Sequence, residues 1–329
     1  MPTYLTNSKM SPALRARIEA SVRGRRTGAR SRTTPLMRAA LRLVLILAVA
    51  GSVIALVLDW RQRRRALESA KAALLADVTS AVEPLRASGS NAWDASRALL
   101  AKAGGDYAGD YVDATLGESA QLDTLLKRST VYVRGPIASF AGEATVERAA
   151  AESVRDAFIH CLLVPPASRS EQALRPRVAA VYRGEAISAD DAARVHRLHD
   201  AIGVREFVGE SWAAEVNGAR SGAELDRLRD RVNEVQLERA VRAAQAELLV
   251  YLVDEPKKPG TPSELDGAND HFVRVGIVEL DSGKALLRLR KRVDPSWIAK
   301  AQRGYLARGL NACRLAIDVR EALGEPTGD

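Results

Sequence analysis

Cysteine occurs twice in 329 residues, histidine four times, and aromatic residues make up only 5% of the chain. Two thiols build neither a disulfide-rich scaffold nor a zinc site with four cysteine ligands. The histidines, His160, His196, His199 and His271, are too few and too scattered to read as a metal centre, and a pair at 196 and 199 needs further ligands. Lysine is scarce beside arginine, nine against forty, a bias that resembles a GC-rich bacterial genome. Enzyme signatures are missing as well. There is no GxxxxGK[ST] phosphate loop, GxGxxG turn, GxSxG elbow, HExxH helix or CxxC pair, and Ser296-Trp297-Ile298-Ala299-Lys300 has one residue too many for SxxK. No cofactor is expected, and a catalytic site, if there is one, has to be dispersed along the chain.

Long apolar runs are equally rare, and the single one is informative. Leu43 to Leu58 reads LVLILAVAGSVIALVL, sixteen residues without a charge. Ala39 to Leu41 and Trp60 extend it if Arg42 and Asp59 reach toward lipid headgroups, which makes about twenty residues, enough to cross a bilayer. Ala48-Val49-Ala50 has the small-x-small pattern of a signal-peptidase site, but the apolar run continues eight residues beyond it and a long basic leader precedes it. The reading is therefore a retained anchor. No cysteine precedes Cys161, so there is no lipobox.

The net charge of +8 invites a nucleic-acid interpretation until it is divided along the chain. Residues 1–65 hold fourteen basic and two acidic residues, so the remaining residues carry a net −4. The basicity belongs to the membrane flank, and no nucleic-acid partner is expected. Nine basic residues precede the span against Glu19 alone, whereas Arg61, Arg63, Arg64 and Arg65 follow it. That asymmetry predicts a cytoplasmic N-terminus and an exported C-terminal region, in the periplasm or outside a bacterial inner membrane.

Four segments follow from the patterning. Residues 1–38 form a disordered basic tail suited to anionic membrane lipid, and 39–60 the transmembrane helix. Residues 61–105 form a helical stalk, with Leu67, Leu74, Val78, Ala81 and Leu85 on one stripe that Lys71 interrupts and Pro84 bends or ends; a second helix runs from Asn91 to Ala103 and stops at Gly104-Gly105. Residues 106–329 form an exported α+β domain with a largely antiparallel sheet covered by helices.

Within that domain Val131 to Val133 predicts a short strand ended by Arg134-Gly135-Pro136. Val146, Ala150, Val154, Ala157 and Cys161 predict one helix, Asp190 to Ile202 another, and Ser221 with Glu224 caps a third that reaches about Ala246. Leu248 to Val253 is apolar on both faces and reads as a central strand. Asp281-Ser282-Gly283 suits a three-residue hairpin loop. Pairing Leu280 with Lys284 puts Val273, Val275, Ile277, Leu287 and Leu289 on one face and Arg274, Arg288, Arg290 and Arg292 on the other. A long helix follows Pro295, with Leu306, Leu310, Cys313 and Ile317 on one side.

Three groups of residues are candidates for function. Cys161 and Cys313 lie on apolar helix faces of the exported region and are expected to form a disulfide. The long segment Asp254 to Asp270, with Glu264, Asp266 and the following His271, is a candidate interaction loop. The arginine row Arg274, Arg288, Arg290 and Arg292 could receive phosphate or carboxylate groups, or else be neutralised by carboxylates of a covering element. The expected function is a single-pass envelope protein whose α+β domain serves binding or assembly without catalysis, its partner an envelope protein or polymer. The alternatives are a membrane-tethered hydrolase using acidic and histidine groups of residues 254–271, and a transmembrane sensor. The oligomeric state is left open.

Overall fold

Strand β4, Leu248–Glu255, organises the fold because every one of its residues is buried. Alternation along the strand sends Leu248, Val250 and Leu252 to one core and Leu249, Tyr251 and Val253 to another. A strand with two apolar faces must sit inside a sheet that is covered on both sides. In the computed structural model β4 pairs antiparallel with β5, His271–Glu279, and parallel with β2, Thr130–Pro136. Beyond β5 lie β6, Ala285–Val293, and the two-residue β1, Tyr111–Val112; beyond β2 lies β3, Val195–Arg197. The order is β1-β6-β5-β4-β2-β3. The structure describes residues 13, 16, 17, 35–88, 91–116, 119–153, 157–185, 194–255, 269–299 and 306–324.

The α+β class holds, but the sheet is mixed where a largely antiparallel one was expected. The ladders β2–β3 and β2–β4 are parallel. Their cause is the long helical connections between these strands, which return the chain to the starting end of the sheet as parallel pairing requires. Strands β4, β5 and β6 instead follow one another and pair antiparallel.

The chain divides into two compact units, Met1–Ala66 and Leu67–Asp329. Helix α1, Pro35–Ser88, extends over both ranges. In the first unit its residues 39–66 are exposed, and large apolar side chains from Leu41 to Trp60 show 42 to 72% of their surface. This is one helix long and apolar enough to cross a membrane, with a mean hydropathy of 2.7 in its most apolar stretch. The tail expected over 1–38 lies outside the described residues apart from 13, 16, 17 and 35–38, the last four being helical.

In the second unit the expected apolar stripe of α1 is present but is no stalk. Leu74, Val78, Val82 and Leu85 are buried in the same core as Val131, Leu249 and Val253. Pro84 stands inside the helix, which continues to Ser88. Lys71 is buried on the stripe and donates to the carbonyl of Asn217 at 3.0 Å and to Glu68 at 3.2 Å. Helix α2, Ala92–Ala103, begins and ends where the sequence predicts: Asn91 caps it by accepting from the Trp93 N–H at 2.9 Å, and Gly104 closes it.

Helices are split between the two faces of the sheet. One core gathers α3, Ser119–Leu125, α5, Ala157–Leu163, α6, Glu171–Tyr182, and α12, Ala307–Glu321. The other gathers α2 and α4, Glu143–Glu152, with α7 to α11: Leu198–Gly203, Arg205–Val208, Glu210–Gly218, Gly222–Val235 and Leu237–Ala244. The helix expected from Val146 to Cys161 is therefore two helices on opposite faces. Ser153 ends the first in extended conformation, and its hydroxyl accepts the Arg134 N–H at 2.9 Å; Val154 lies outside the described residues. The helix expected from Ser221 to Ala246 breaks likewise at Gln236, whose φ is 51°.

The hairpin keeps the expected register over most of its length. Val275 faces Leu289 and Ile277 faces Leu287, but a bulge follows, so that Val278 faces Ala285 and the Glu279 N–H donates to the Lys284 carbonyl at 3.0 Å. The loop is accordingly Leu280 to Gly283, four residues instead of three, with Gly283 at φ 65°. The bulge turns both Leu286 and Leu287 into the core.

Cys161 of α5 and Cys313 of α12 are bonded, with Cα atoms 5.1 Å apart. Both are fully buried. The bridge closes a loop across 152 residues and ties two helices that cover one sheet face. Replacing both by alanine should lower unfolding free energy by about 2–5 kcal/mol in urea titrations, with an unchanged far-ultraviolet spectrum. A loss below about 1 kcal/mol would show that helix packing alone fixes this face.

Candidate functional site

Buried charge concentrates where β2 and β4 end, at the roots of the segment expected to carry an interaction loop. The parallel register sets Arg134 opposite Leu252 and Pro136 opposite Asp254. Arg134 thereby donates to Asp254 from Nε at 3.0 Å and Nη2 at 2.8 Å, with side chains 4% and 1% exposed. His271, fully buried on the first residue of β5, lies with Nε2 3.3 Å from Asp254 and Nδ1 2.8 Å from the Asn269 carbonyl. Both ring nitrogens face oxygen atoms. Burial alone would raise the Asp254 pKa; the Arg134 charge and hydrogen bonds from His271 and Arg134 overcome it and hold the carboxyl down to about 2.

The opposite face carries the arginine row, on one side of the hairpin as the sequence predicts. Arg290 faces Arg274, Arg288 faces Gly276 and Arg292 faces Phe272. Three of the four are neutralised locally. Arg274 and Arg290 share the buried Glu255, the latter at 2.6 Å, and Arg292 grips Asp270 at 2.8 and 2.6 Å. Arg274 also donates to the carbonyls of Ala103, at 2.8 Å, and Gly105, at the C-terminal end of α2. Arg288 differs. It donates to the carbonyls of Gly109 at 2.7 Å and Ala108 at 3.5 Å, and no carboxylate among the described residues forms an ion pair with it.

A cavity of about 350 Å³ opens beside Arg288, between the end of α2, the following segment and the hairpin. Lys102, Asp106, Tyr107, Tyr251, Arg274 and Arg288 supply polar groups, while Leu99, Val278 and Ala285 supply apolar wall. Gly276 shapes its floor. A Cβ there would lie 2.1 Å from Cζ and 2.4 Å from the hydroxyl of Tyr251, so the tyrosine ring occupies the space a side chain would fill. Burial raises the Tyr251 pKa against the opposing charges of Arg288 and Arg274, which keeps the phenol protonated. Burial, and then the hydrogen bond to Asp110, raise that of Tyr107.

Of the other candidates, Glu264 and Asp266 lie outside the described residues, as does 256–268 throughout. His196 and His199 are not on one helix: His196 is buried in β3 and His199 is in α7, while 190–193 lie outside the described residues. The cause is simple: Val195, His196 and Arg197 pair with Thr130, Val131 and Tyr132 at the sheet edge. Among the described residues no group of three or more histidine, cysteine, aspartate or glutamate side chains is placed to hold a metal ion. Arg134, Asp254, Glu255 and Tyr251 were not legible as partners. Their one signal is that charged residues follow directly on apolar strand runs, which marks strand ends but not who faces whom.

No protein-family model matches the chain, and neither the curated proteins nor the solved structures offer a match.

The buried network has a measurable signature. Removing the cation by Arg134→Met leaves Asp254 with His271 alone and should cost about 3–5 kcal/mol of stability at neutral pH. Because the Asp254 pKa is depressed in the folded state, its contribution is complete above the unfolded value near 4 and disappears as the pH falls toward about 2. An Asp254→Asn variant should lack that acid-dependent loss in urea midpoints measured across this window; an unaltered profile would show that other carboxylates set it.

Proposed function

We propose that this is a single-pass protein of the bacterial inner membrane whose α+β unit serves binding or assembly in the cell envelope. The observation that carries the reading is an exposed apolar helical run, 43–58, in a chain whose later unit is tied by a buried disulfide, Cys161–Cys313. Disulfides persist in oxidising compartments, so the bridge favours export of residues 67–329. The basic residues before the span favour a cytoplasmic N-terminus, where anionic lipid headgroups are the fitting partner of the tail. For the exported unit the fitting partner is an envelope protein or polymer.

Two features support binding over catalysis. His271, the histidine nearest the expected loop, is fully buried with both ring nitrogens engaged, which leaves neither free to transfer a proton to a substrate. The carboxylates Asp254 and Glu255 are likewise committed to arginines.

Topology is testable because both native thiols are bonded and buried. A membrane-impermeant maleimide should label Asp281→Cys, on the exposed hairpin loop, in intact spheroplasts, and label Ser31→Cys only after lysis. The reverse pattern overturns the orientation. Crosslinking in native membranes followed by affinity purification should recover a partner from the envelope; recovery of the chain alone, with hydrolytic turnover by the pure protein, overturns the binding role.

A further inference from the structure

We infer that the cavity beside Arg288 is a binding site for a small organic oxyanion, a carboxylate or phosphate joined to an apolar or aromatic body. The inference rests on the binding role proposed above and narrows it to a ligand class. Three observations converge on it. The Lys102 side chain has no ion-pair or hydrogen-bond partner among the described residues, and Arg288 is held only by main-chain carbonyls, so two cations without an ion-pair partner line the cavity against one carboxylate, Asp106. Tyr251, only 6% exposed, lines the same cavity with a hydroxyl that no group among the described residues hydrogen-bonds. That hydroxyl opens onto the cavity, where it can donate to a ligand.

The geometry also explains why the site is built rather than incidental. Arg288 is tethered, because the Gly109 carbonyl accepts from Nε at 2.7 Å and the Ala108 carbonyl from Nη2 at 3.5 Å, which leaves Nη1 for a ligand. Tyr251 is fixed by lying across Gly276, the one residue on that face of β5 without a side chain to obstruct it. Arg274, stacked 5.5 Å from the Tyr107 ring centroid and paired with Glu255, serves as wall and field without being the anchoring charge. The apolar share of the lining, from Leu99, Val278 and Ala285, asks for a ligand with a hydrocarbon body as well as a charge. A volume of about 350 Å³ accommodates such a molecule and is at the small end of the range for ligand sites.

Calorimetric titration of the full chain in detergent micelles tests this with three probes. Phenyl phosphate carries both anion and ring, inorganic phosphate the anion only, and benzyl alcohol the ring only. Phenyl phosphate should bind more tightly than either, and Arg288→Gln should weaken it at least about tenfold, the loss of one charge-assisted pair. Tyr251→Phe, which keeps the ring over Gly276, and Lys102→Gln, on the exposed end of α2, should each weaken it by a smaller factor. These two variants carry the test if Arg288→Gln proves unfolded by circular dichroism. Absence of phenyl phosphate binding at millimolar concentration, or binding unchanged in all three variants, overturns the site. Binding equal to that of inorganic phosphate alone overturns the organic-ligand class. If the probe fails while crosslinking still recovers an envelope partner, the ligand site falls and the binding role stands; if the probe binds as expected while the chain is recovered alone with hydrolytic turnover, the ligand site stands and the binding role falls.

Discussion

Everything in the second unit hangs on the burial of both faces of β4. Fully burying one Leu or Val side chain contributes about 1.5–3 kcal/mol, and β4 supplies three such residues to one side and two with a tyrosine to the other. Helices must then cover two faces, and the chain supplies both by ending α4 at Ser153 ahead of α5 on the other face and by drawing the later part of α1 into the core. The disulfide secures one cover, where α5 and α12 meet. Lys71 secures a point on the other, its ammonium directed at the carbonyl end of α9, where a cation is favoured.

The same strand creates its own electrostatic problem where it ends. Asp254 and Glu255 continue the alternation and so point to opposite faces, each into surroundings that exclude water. Arg134 and His271 answer the first, and Arg274 with Arg290 the second. A buried ion pair gains little net stability but is expensive to break, so these pairs act as register pins for the two strand roots. They also decide which arginines remain chemically available. Once Glu255 and Asp270 have taken their share, Arg288 is the member of the row left with carbonyls alone, and the cavity lies beside it.

Much of this was legible in the chain. The apolar run at 43–58, the two-faced strand at 248, the hairpin register between Val275 and Leu289, the caps of α2 and the pairing of Cys161 with Cys313 all follow from local pattern. Those features have strong periodicity or a single possible partner. The illegible ones involve competition between elements. The stripe over Val146 to Cys161 has a continuous helical period, yet the chain gains more by packing its halves on opposite faces. The sequence around His196 resembles a helix, yet edge pairing with β2 claims it. The site was partly legible: the arginine row was visible as a row, but its division into members with and without an ion-pair partner among the described residues was not.

What the sequence determined by itself was the membrane-length helix, the class of the domain and the faces of its strands, because these depend on neighbours in the chain and on the separation of apolar from polar groups. Only the tertiary structure decided that the sheet is mixed, that α1 enters the core, and that Tyr251 lies across Gly276 beside Arg288. Those outcomes depend on which distant segments meet, and a side chain's partner is fixed by the register of another strand, which no local pattern encodes.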